Sequence, residues 1–452
     1  MRKRVDATQG PLVKLIFSFS IPLILTTIMQ HLFEIADKAV LGQMADATAV
    51  ASVGVTGVIL TLVINGFVGL STGTGIILAR FVGQKNGKNI KETVETALIS
   101  SVAFGILVAV VGIVFAPQFL SLVNCPAECY DGALIYFRIR IAASPFALLY
   151  NYGAVIVRTF GDTQRPLYYI IISGIVNVVL NVILCFTLSQ KVIAVAVATF
   201  ASKLVSAILV TRRIFKFDEV VKLSFKDFRF RFNAFKSILR FGIPVAVSNL
   251  LLPIANLQIT PAINSYGAMA TAGNTAGADL MNITTAITGG FSAATATFMG
   301  QNIGAKKDDR VRKSFWYTLI FATVFSGLMG VFLYLTGEFW VGLIIGTGSR
   351  EAIDYALTRV LYTVLPIALQ GYGAALGSAE QAYGYPFVGT LKTIICILGF
   401  RVFWMNVIYP LAPSFDMVVA CFTVSWVFIA IFNTVAVLII THRYRKGIYK
   451  KI

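Results

Sequence analysis

TVETALISSVAFGILVAVVGIVF, the stretch Thr93–Phe115, decides the fold, because Glu95 is its only charged residue. A helix of about 20 residues crosses a hydrocarbon core of roughly 30 Å, so this run reads as a membrane span. Comparable runs recur from end to end. In the first half they fall near Leu12–Leu41, Val50–Ala79, Thr93–Phe115, Ala133–Val157, Leu167–Leu188 and Val192–Thr211. In the second they fall near Ile238–Ile263, Ala270–Phe298, Phe315–Thr336, Tyr355–Leu376, Phe387–Tyr409 and Met417–Ile440. Strands of a membrane barrel are only about 10 residues long and polar at alternate positions. These runs are longer and apolar throughout, and in hydrocarbon every backbone amide must bond within its own segment, so helices are the expected element. An all-α polytopic membrane protein of about twelve spans follows.

Composition agrees. Of 452 residues 57% are hydrophobic and 13% charged, too little polar surface for a water-soluble chain of this length. The net charge of +18 would suggest nucleic acid in a soluble protein. Here its distribution argues against a nucleic-acid partner and for membrane lipids. Basic residues crowd the N-terminus (Arg2, Lys3, Arg4), the links after the second, fourth and eighth spans, the middle of the chain and the C-terminus (Arg443, Arg445, Lys446). All of these share one face if helices alternate direction. Positive charge marks the cytoplasmic side, so a multi-pass protein of the plasma membrane with both termini cytoplasmic is expected. The basic N-terminus leads into an apolar stretch with no small-residue cleavage site, which reads as a retained first helix. Cys185, Cys396 and Cys421 fall in apolar runs and read as small hydrophobes; Cys125 and Cys129 share an outward link where an oxidised pair or, less readily, a metal pair is conceivable. No metal is assigned.

The chain repeats itself. Phe81-Val-Gly83-Gln84-Lys-Asn-Gly87 returns as Phe298-Met-Gly300-Gln301-Asn-Ile-Gly304, and Phe19-Ser-Ile21-Pro22 as Phe241-Gly-Ile243-Pro244. Each half holds an even number of spans, so the halves have the same orientation and are parallel repeats. The expected organisation is an N-lobe at 1–215, a cytoplasmic linker at 216–237 and a C-lobe at 238–452, as two six-helix bundles around a central cleft.

Ionisable groups at bilayer depth are costly and mark function unless they snorkel or pair. Gln30, His31, Glu34, Asp37 and Lys38 occupy the outer third of the first span, and spacings of three and four put His31, Glu34 and either Asp37 or Lys38 on one face. Such a carboxylate group can hold a proton or a small cation; alternatively Glu34 and Lys38 simply pair at the interface. Asp279 lies within the eighth span, between Gly277 and Asn282. Gln30, His31, Asp279 and Arg401 are candidate cleft residues. Lys392 can snorkel inward, and Arg138 and Arg140 can reach headgroups. Gly66, Gly69, Gly289 and Gly290 suit helix packing. Pro22, Pro244, Pro253 and Pro261 offer bends.

Glu34-Ile-Ala-Asp37-Lys38-Ala-Val-Leu-Gly42, Arg158-Thr-Phe-Gly161-Asp162-Thr-Gln-Arg165-Pro166, Ala272-Gly273-Asn274-Thr275-Ala276 and Phe298-Met-Gly300-Gln301-Asn302-Ile-Gly304-Ala305-Lys306-Lys307 together resemble the multidrug and toxic compound extrusion (MATE) family, over nearly the whole chain. The resemblance implies two six-helix lobes alternating between outward and inward openings. It also implies that Asp37 is the acidic residue of an N-lobe site for coupling protons or cations, completed by positions that look like Asn181 and Thr199; Glu34, from its spacing on the first span, is a further coupling candidate. Two departures stand out. Leu184-Cys185-Phe186 replaces a Leu-Asp-Pro context, and Met281 stands where many members carry an acidic residue, with Asp279 two positions earlier. Fewer carboxylates weaken a sodium site and tilt the expectation toward protons.

The expected activity is therefore antiport: a monomer exporting amphiphilic, cationic small organic molecules against H+ or Na+, with no cofactor beyond that ion. A flippase for a lipid-linked saccharide is the nearest alternative, although such proteins usually carry extra helices. An intramembrane enzyme is disfavoured by the absence of His-Glu-x-x-His and of histidines beyond His31 and His442. A channel is disfavoured by the want of a ring of filter residues.

Overall fold

The computed structural model describes residues 5–44, 47–123, 125–216, 228–346 and 349–446, and within them leaves the side chains at 38, 39, 43, 47, 50 and 58 undescribed. The Lys38 side chain and most of the expected linker, 217–227, thus lie outside what is described. Every element among the described residues is helical. Among the described residues nine helices are long and apolar enough to cross a membrane: α1 (Leu12–Met44), α2 (Ala47–Gly83), α3 (Gly87–Val114), α7 (Gln164–Thr187), α8 (Lys191–Phe215), α9 (Phe232–Leu257) continuing into the short α10 (Thr260–Asn264), α12 (Asp308–Leu335), the segment Pro386–Leu411, and α18 (Phe415–Arg445). Short helices α4 (Ala116–Leu122) and α13 (Gly337–Ile345) follow α3 and α12.

Two further spans are bent pairs. Helices α5 (Tyr130–Ala142) and α6 (Ser144–Thr159) meet at 42°, and α14 (Arg350–Thr363) and α15 (Ile367–Ala382) meet at 43°. The twelfth span is α11 (Ala268–Gly304), 37 residues rich in Ala, Gly and Thr, with Asp279 as its one charged residue. Its small side chains lower its hydropathy, not its length.

The helices overrun the apolar runs where polar ends reach water: α12 starts at Asp308, not Phe315, with Asp308 and Asp309 in its first turn, where carboxylates favour the positive helix end. Leu107, Val110, Leu328 and Leu438 are more than half exposed, as expected of side chains whose solvent is lipid.

Of the prolines singled out in the sequence only Pro261 stands at a break; the other breaks lie at prolines not singled out. Pro22 lies inside α1, and Pro244 and Pro253 inside α9, without ending either helix. Pro145 in the first turn of α6, Pro366 capping α15 and Pro261 in α10 stand at the breaks. A first-turn proline lacks only an N–H that would be unpaired anyway, so it fits a new helix start better than a helix interior. The eleventh span is irregular. It runs from α16 (Pro386–Lys392) through a π-helical stretch Thr393–Gly399, a single α turn α17 (Phe400–Phe403) and a second π stretch Trp404–Ile408.

The compact units are offset from the expected lobe boundaries at 215 and 238. One unit comprises Met1–Val5 and Leu25–Ala246; the other comprises Asp6–Ile24 and Val247–Ile452. The opening segments of α1 and α9 thus each pack with the other repeat's helices, and those segments carry the repeated Phe-x-Ile-Pro. In the second unit Phe19 is buried edge-on against Phe298 at 5.5 Å. In the first, Phe241 joins a buried cluster with Ile76, Ile77 and Val157.

Glycine makes both contacts close. A Cβ on Gly69 would stand 2.3 Å from Ala246 Cα, and one on Gly290 would stand 2.4 Å from Ile24 Cγ1, whereas one on Gly289 meets nothing within 4 Å. Packing therefore explains Gly69 and Gly290 but not Gly289. Gly69-Leu-Ser71-Thr-Gly73 has the spacing of a nucleophile elbow, yet it sits within α2 with Ser71 Oγ donating to Val68 O at 2.8 Å. Its glycines serve helix packing, and the strained strand-to-helix turn that such a nucleophile needs is absent from this segment.

Gly69→Val is expected to destabilise the purified protein by about 1–3 kcal/mol, the usual cost of overpacking. Gly57→Val, at a position of the same helix with open space, should leave the thermal unfolding midpoint nearly unchanged.

Candidate functional site

The outer half of α1 brings Asp37 to α7. There Asn181 Nδ2 donates to Asp37 Oδ1 at 2.6 Å, a bond between residues 144 apart in sequence. Asn181 also reaches Asn177 Oδ1 at 3.4 Å, Asn177 Nδ2 reaches Thr199 Oγ1 on α8 at 3.4 Å, and the Thr199 hydroxyl donates to Val195 O at 3.0 Å. A polar chain thus ties α1, α7 and α8. Asn177, Asn181 and Thr199 are all buried, so each bond forms away from competing water. The helix period explains the arrangement, since Asn177 and Asn181 lie one turn apart on the buried stripe of α7.

The Asn181 side-chain oxygen is buried without a hydrogen-bond partner. The Asp37 carboxylate, this amide oxygen and the Thr199 hydroxyl all belong to the one hydrogen-bonded chain, and oxygen acceptors are the chemistry that holds a proton or a small cation. Cys185, where the resemblance led one to look for a second carboxylate, is fully buried in the apolar cluster around Leu41 and Phe137 and supplies no such oxygen.

The sequence reading brought Asp37, Asn181 and Thr199 together, and the structure places them in this chain. Glu34 is placed differently: its side chain is 71% exposed, with Oε2 3.6 Å from His31 Nδ1. Gln30 and His31 are half-buried in the same unit. Asp279 and Arg401 belong to the other unit, Asp279 half-buried and Arg401 buried, its Nη1 donating to Asn256 Oδ1 at 2.6 Å.

Several charges were missed or misplaced from sequence. Lys203, one turn after Thr199 on α8, and Arg140 on α5 both act electrostatically on Asp37. Arg140, expected to reach headgroups, is half-buried over the Tyr136 ring at 5.7 Å. Lys392, expected to snorkel, instead has Nζ 4.0 Å from Oε2 of the fully buried Glu380. Arg359, in the tenth span, is buried and was not singled out. The available signal was the same throughout, a lone charge inside an apolar run.

The Cys125 and Cys129 sulfurs lie 3.8 Å apart, a thiol contact and not a disulfide. Burial, and then the hydrogen bond to Cys129, push the Cys125 thiol above its ordinary value of 9.0.

This architecture, duplicated six-span repeats with a buried carboxylate network on helices of one repeat, is that of a polytopic membrane transporter. The MatE family model matches residues 22–183 and again 244–405, and the chain belongs to that family. It is 23% identical over 394 residues to YoeA of Bacillus subtilis, a probable multidrug resistance protein, covering 85% of this chain and 84% of that one. It is 20% identical over 405 residues to the multidrug export protein MepA of Staphylococcus aureus, covering 89% of each.

Among solved structures it superimposes on a MATE protein in complex with MaL6 with a TM-score of 0.89, at 21% identity over 98% of this chain and 100% of the other. For a MOP superfamily transporter from Pyrococcus furiosus, for which a reverse polarity of the binding pocket is described, the TM-score is 0.85 at 21% identity over 99% and 98%. These likenesses establish a shared twelve-helix fold.

Maleimide labelling of Cys125 is expected to keep accelerating with pH beyond 9, because the thiolate forms late. Cys129→Ala removes the hydrogen bond and the electrostatic effect of the neighbouring thiol, leaving burial alone, and should move the rate profile to lower pH, as measured by labelling kinetics across pH.

Proposed function

We propose that the protein is a secondary active exporter of amphiphilic organic compounds, coupled to proton entry through Asp37. The observation that carries this is the 2.6 Å bond from Asn181 to Asp37, which makes the placement of the outer half of α1 against α7 depend on the charge of one carboxylate. Hydrogen bonds to an ionised acceptor are about twice as strong as neutral ones. Protonation of Asp37 therefore loosens α1 from the amide, and the two charge states favour different arrangements of the helix. Coupling ion and cargo then exclude one another if they favour different states of that equilibrium.

Protons fit better than sodium. A dehydrated sodium ion wants several oxygen ligands, and here one carboxylate, one amide oxygen and one hydroxyl are on offer, with Lys203 and Arg140 already acting on the carboxylate. Those basic neighbours oppose proton uptake and sodium binding alike, so the preference for protons rests on the shortage of oxygen ligands. Plasma-membrane placement, cytoplasmic termini and a monomeric state complete the proposal. The basic even-numbered links support the orientation. The multidrug relatives support drug-like cargo over a lipid-linked saccharide, and no catalytic activity is proposed.

In proteoliposomes an imposed pH gradient should drive transport of a fluorescent amphiphile, and an imposed sodium gradient at equal pH should drive less than roughly a tenth as much, since a 1.4 kcal/mol preference is already tenfold. Equal rates under the two gradients would refute proton coupling.

Asp37→Asn should abolish gradient-dependent efflux while leaving the fold intact, because the amide keeps the shape and loses the titration. Asn181→Ala should leave partial efflux and cost about 1–3 kcal/mol of stability through the unmet buried partner. Undiminished export by Asp37→Asn would remove the carboxylate from the mechanism.

A further inference from the structure

In the second unit two arginines are buried around one aromatic ring. Arg359 Cζ stands 3.9 Å from the Phe422 ring centroid and Arg401 Cζ stands 4.3 Å from it. Both residues are at most 4% exposed. Among the described residues no carboxylate comes within ion-pairing distance of either. Arg401 spends one nitrogen on Asn256 Oδ1, while its Nε and the Nε and Nη1 of Arg359 are buried with no acceptor.

A ring face attracts a guanidinium, but it accepts none of the in-plane N–H groups. Buried charge of one sign without a counter-charge is the costliest arrangement a protein keeps, and it is kept where a ligand completes it. The two Cζ atoms can be no further apart than the sum of their distances to the shared centroid, about 8 Å. Both guanidiniums therefore lie within one small region, and their unmet in-plane N–H groups are donors that an oxyanion accepts from.

The surroundings add a second preference. Phe422 belongs to a buried cluster with Trp404, Phe415 and Trp426, with Tyr355, Tyr362, Tyr266 and Tyr409 packed on it. An apolar or aromatic body suits that lining. The backbone that carries the pair is irregular. Arg401 sits in the single α turn between two π-helical stretches, and Arg359 lies one turn before the 43° break that joins α14 to α15. π-helical turns recur at functional sites because their looser ladder re-aims side chains.

We infer that Arg359 and Arg401, stacked on Phe422, form a binding site for an anionic group carried on an apolar or aromatic molecule: a carboxylate or a phosphate. This rests on the exporter reading above and narrows its cargo. The sequence reading expects a cationic cargo, whereas this site admits a zwitterion or an anion.

Equilibrium binding to the purified full-length protein in a maltoside detergent tests it without any gradient. Naphthalene-2-carboxylate should bind at least about tenfold more tightly than the cationic isostere naphthalen-2-ylmethylammonium, a difference of about 1.4 kcal/mol. Arg359→Gln and Arg401→Gln should each erase that difference, and Arg401→Lys, which keeps charge but loses the planar fork, should restore part of it. A short-chain phosphatidic acid provides the lipid arm. Displacement of the carboxylate by it shows that headgroup phosphate shares the site, and failure to displace assigns the site to soluble cargo; either result upholds anion binding. Equal or tighter binding of the ammonium compound by the wild-type protein overturns the inference, and that comparison needs no variant to fold. Asp37→Asn should keep the preference for the carboxylate over the ammonium compound even where the shared equilibrium shifts the absolute affinities, so loss of efflux there and loss of anion preference here report separate failures.

Discussion

Hydrocarbon offers a backbone amide no partner, and that constraint shapes everything else in this molecule. Each span closes its own hydrogen-bond ladder as a helix. Departures survive only where protein surrounds the freed groups. The described residues concentrate such departures in a few places: the bends at α5/α6 and α14/α15 and the π-helical stretches of the eleventh span. The bends fall in the fourth and tenth spans, equivalent positions of the two repeats. The π turns have no counterpart in α7, the continuous fifth span. The irregular backbone therefore marks where the second repeat departed from the first, and Arg401 sits in it.

Close approach is the second consequence. Helix association within a bilayer gains little from the hydrophobic effect, because lipid tails are as apolar as side chains. Backbone proximity has to supply the attraction through dispersion, which Gly69 and Gly290 allow at 2.3–2.4 Å from where a Cβ would otherwise intrude. The repeated Phe-x-Ile-Pro segments carry the same logic, each packing an aromatic ring deep into helices of the other repeat's numbering.

The spans were legible because their signal is local: a run of apolar residues of sufficient length. Even α11 was legible, since its low hydropathy comes from small residues and not from charges. Asp37 was legible as a carboxylate in such a run, and its partners through resemblance to a known family. The remaining site chemistry was not, because it depends on pairs far apart in sequence: Glu380 meets Lys392 across a tight link, but Arg359 meets Phe422, and Arg401 meets Asn256, only after the spans have packed. A lone arginine in an apolar run announces a partner without naming it. Helix breaks were illegible for a related reason. Pro22 and Pro145 differ little in local sequence, and what decides between a tolerated proline and a break is which groups surround the freed carbonyls.

The two repeats have diverged most in charge. The first keeps a carboxylate hydrogen-bonded among amides, with basic neighbours acting on it; the second keeps guanidiniums on an aromatic ring with no acid at hand. A duplicated bundle with the same charge in both halves would bind the same ion twice. Under the coupling and the anion site proposed above, opposite charges would let one half respond to a proton and the other to the anionic part of a cargo, the two ligands meeting only through the conformational equilibrium they share. Coupling of that kind requires each ligand to prefer a different state, not to touch the other. A carboxylate and a pair of arginines on separate repeats satisfy that requirement more simply than two ligands competing for one acid.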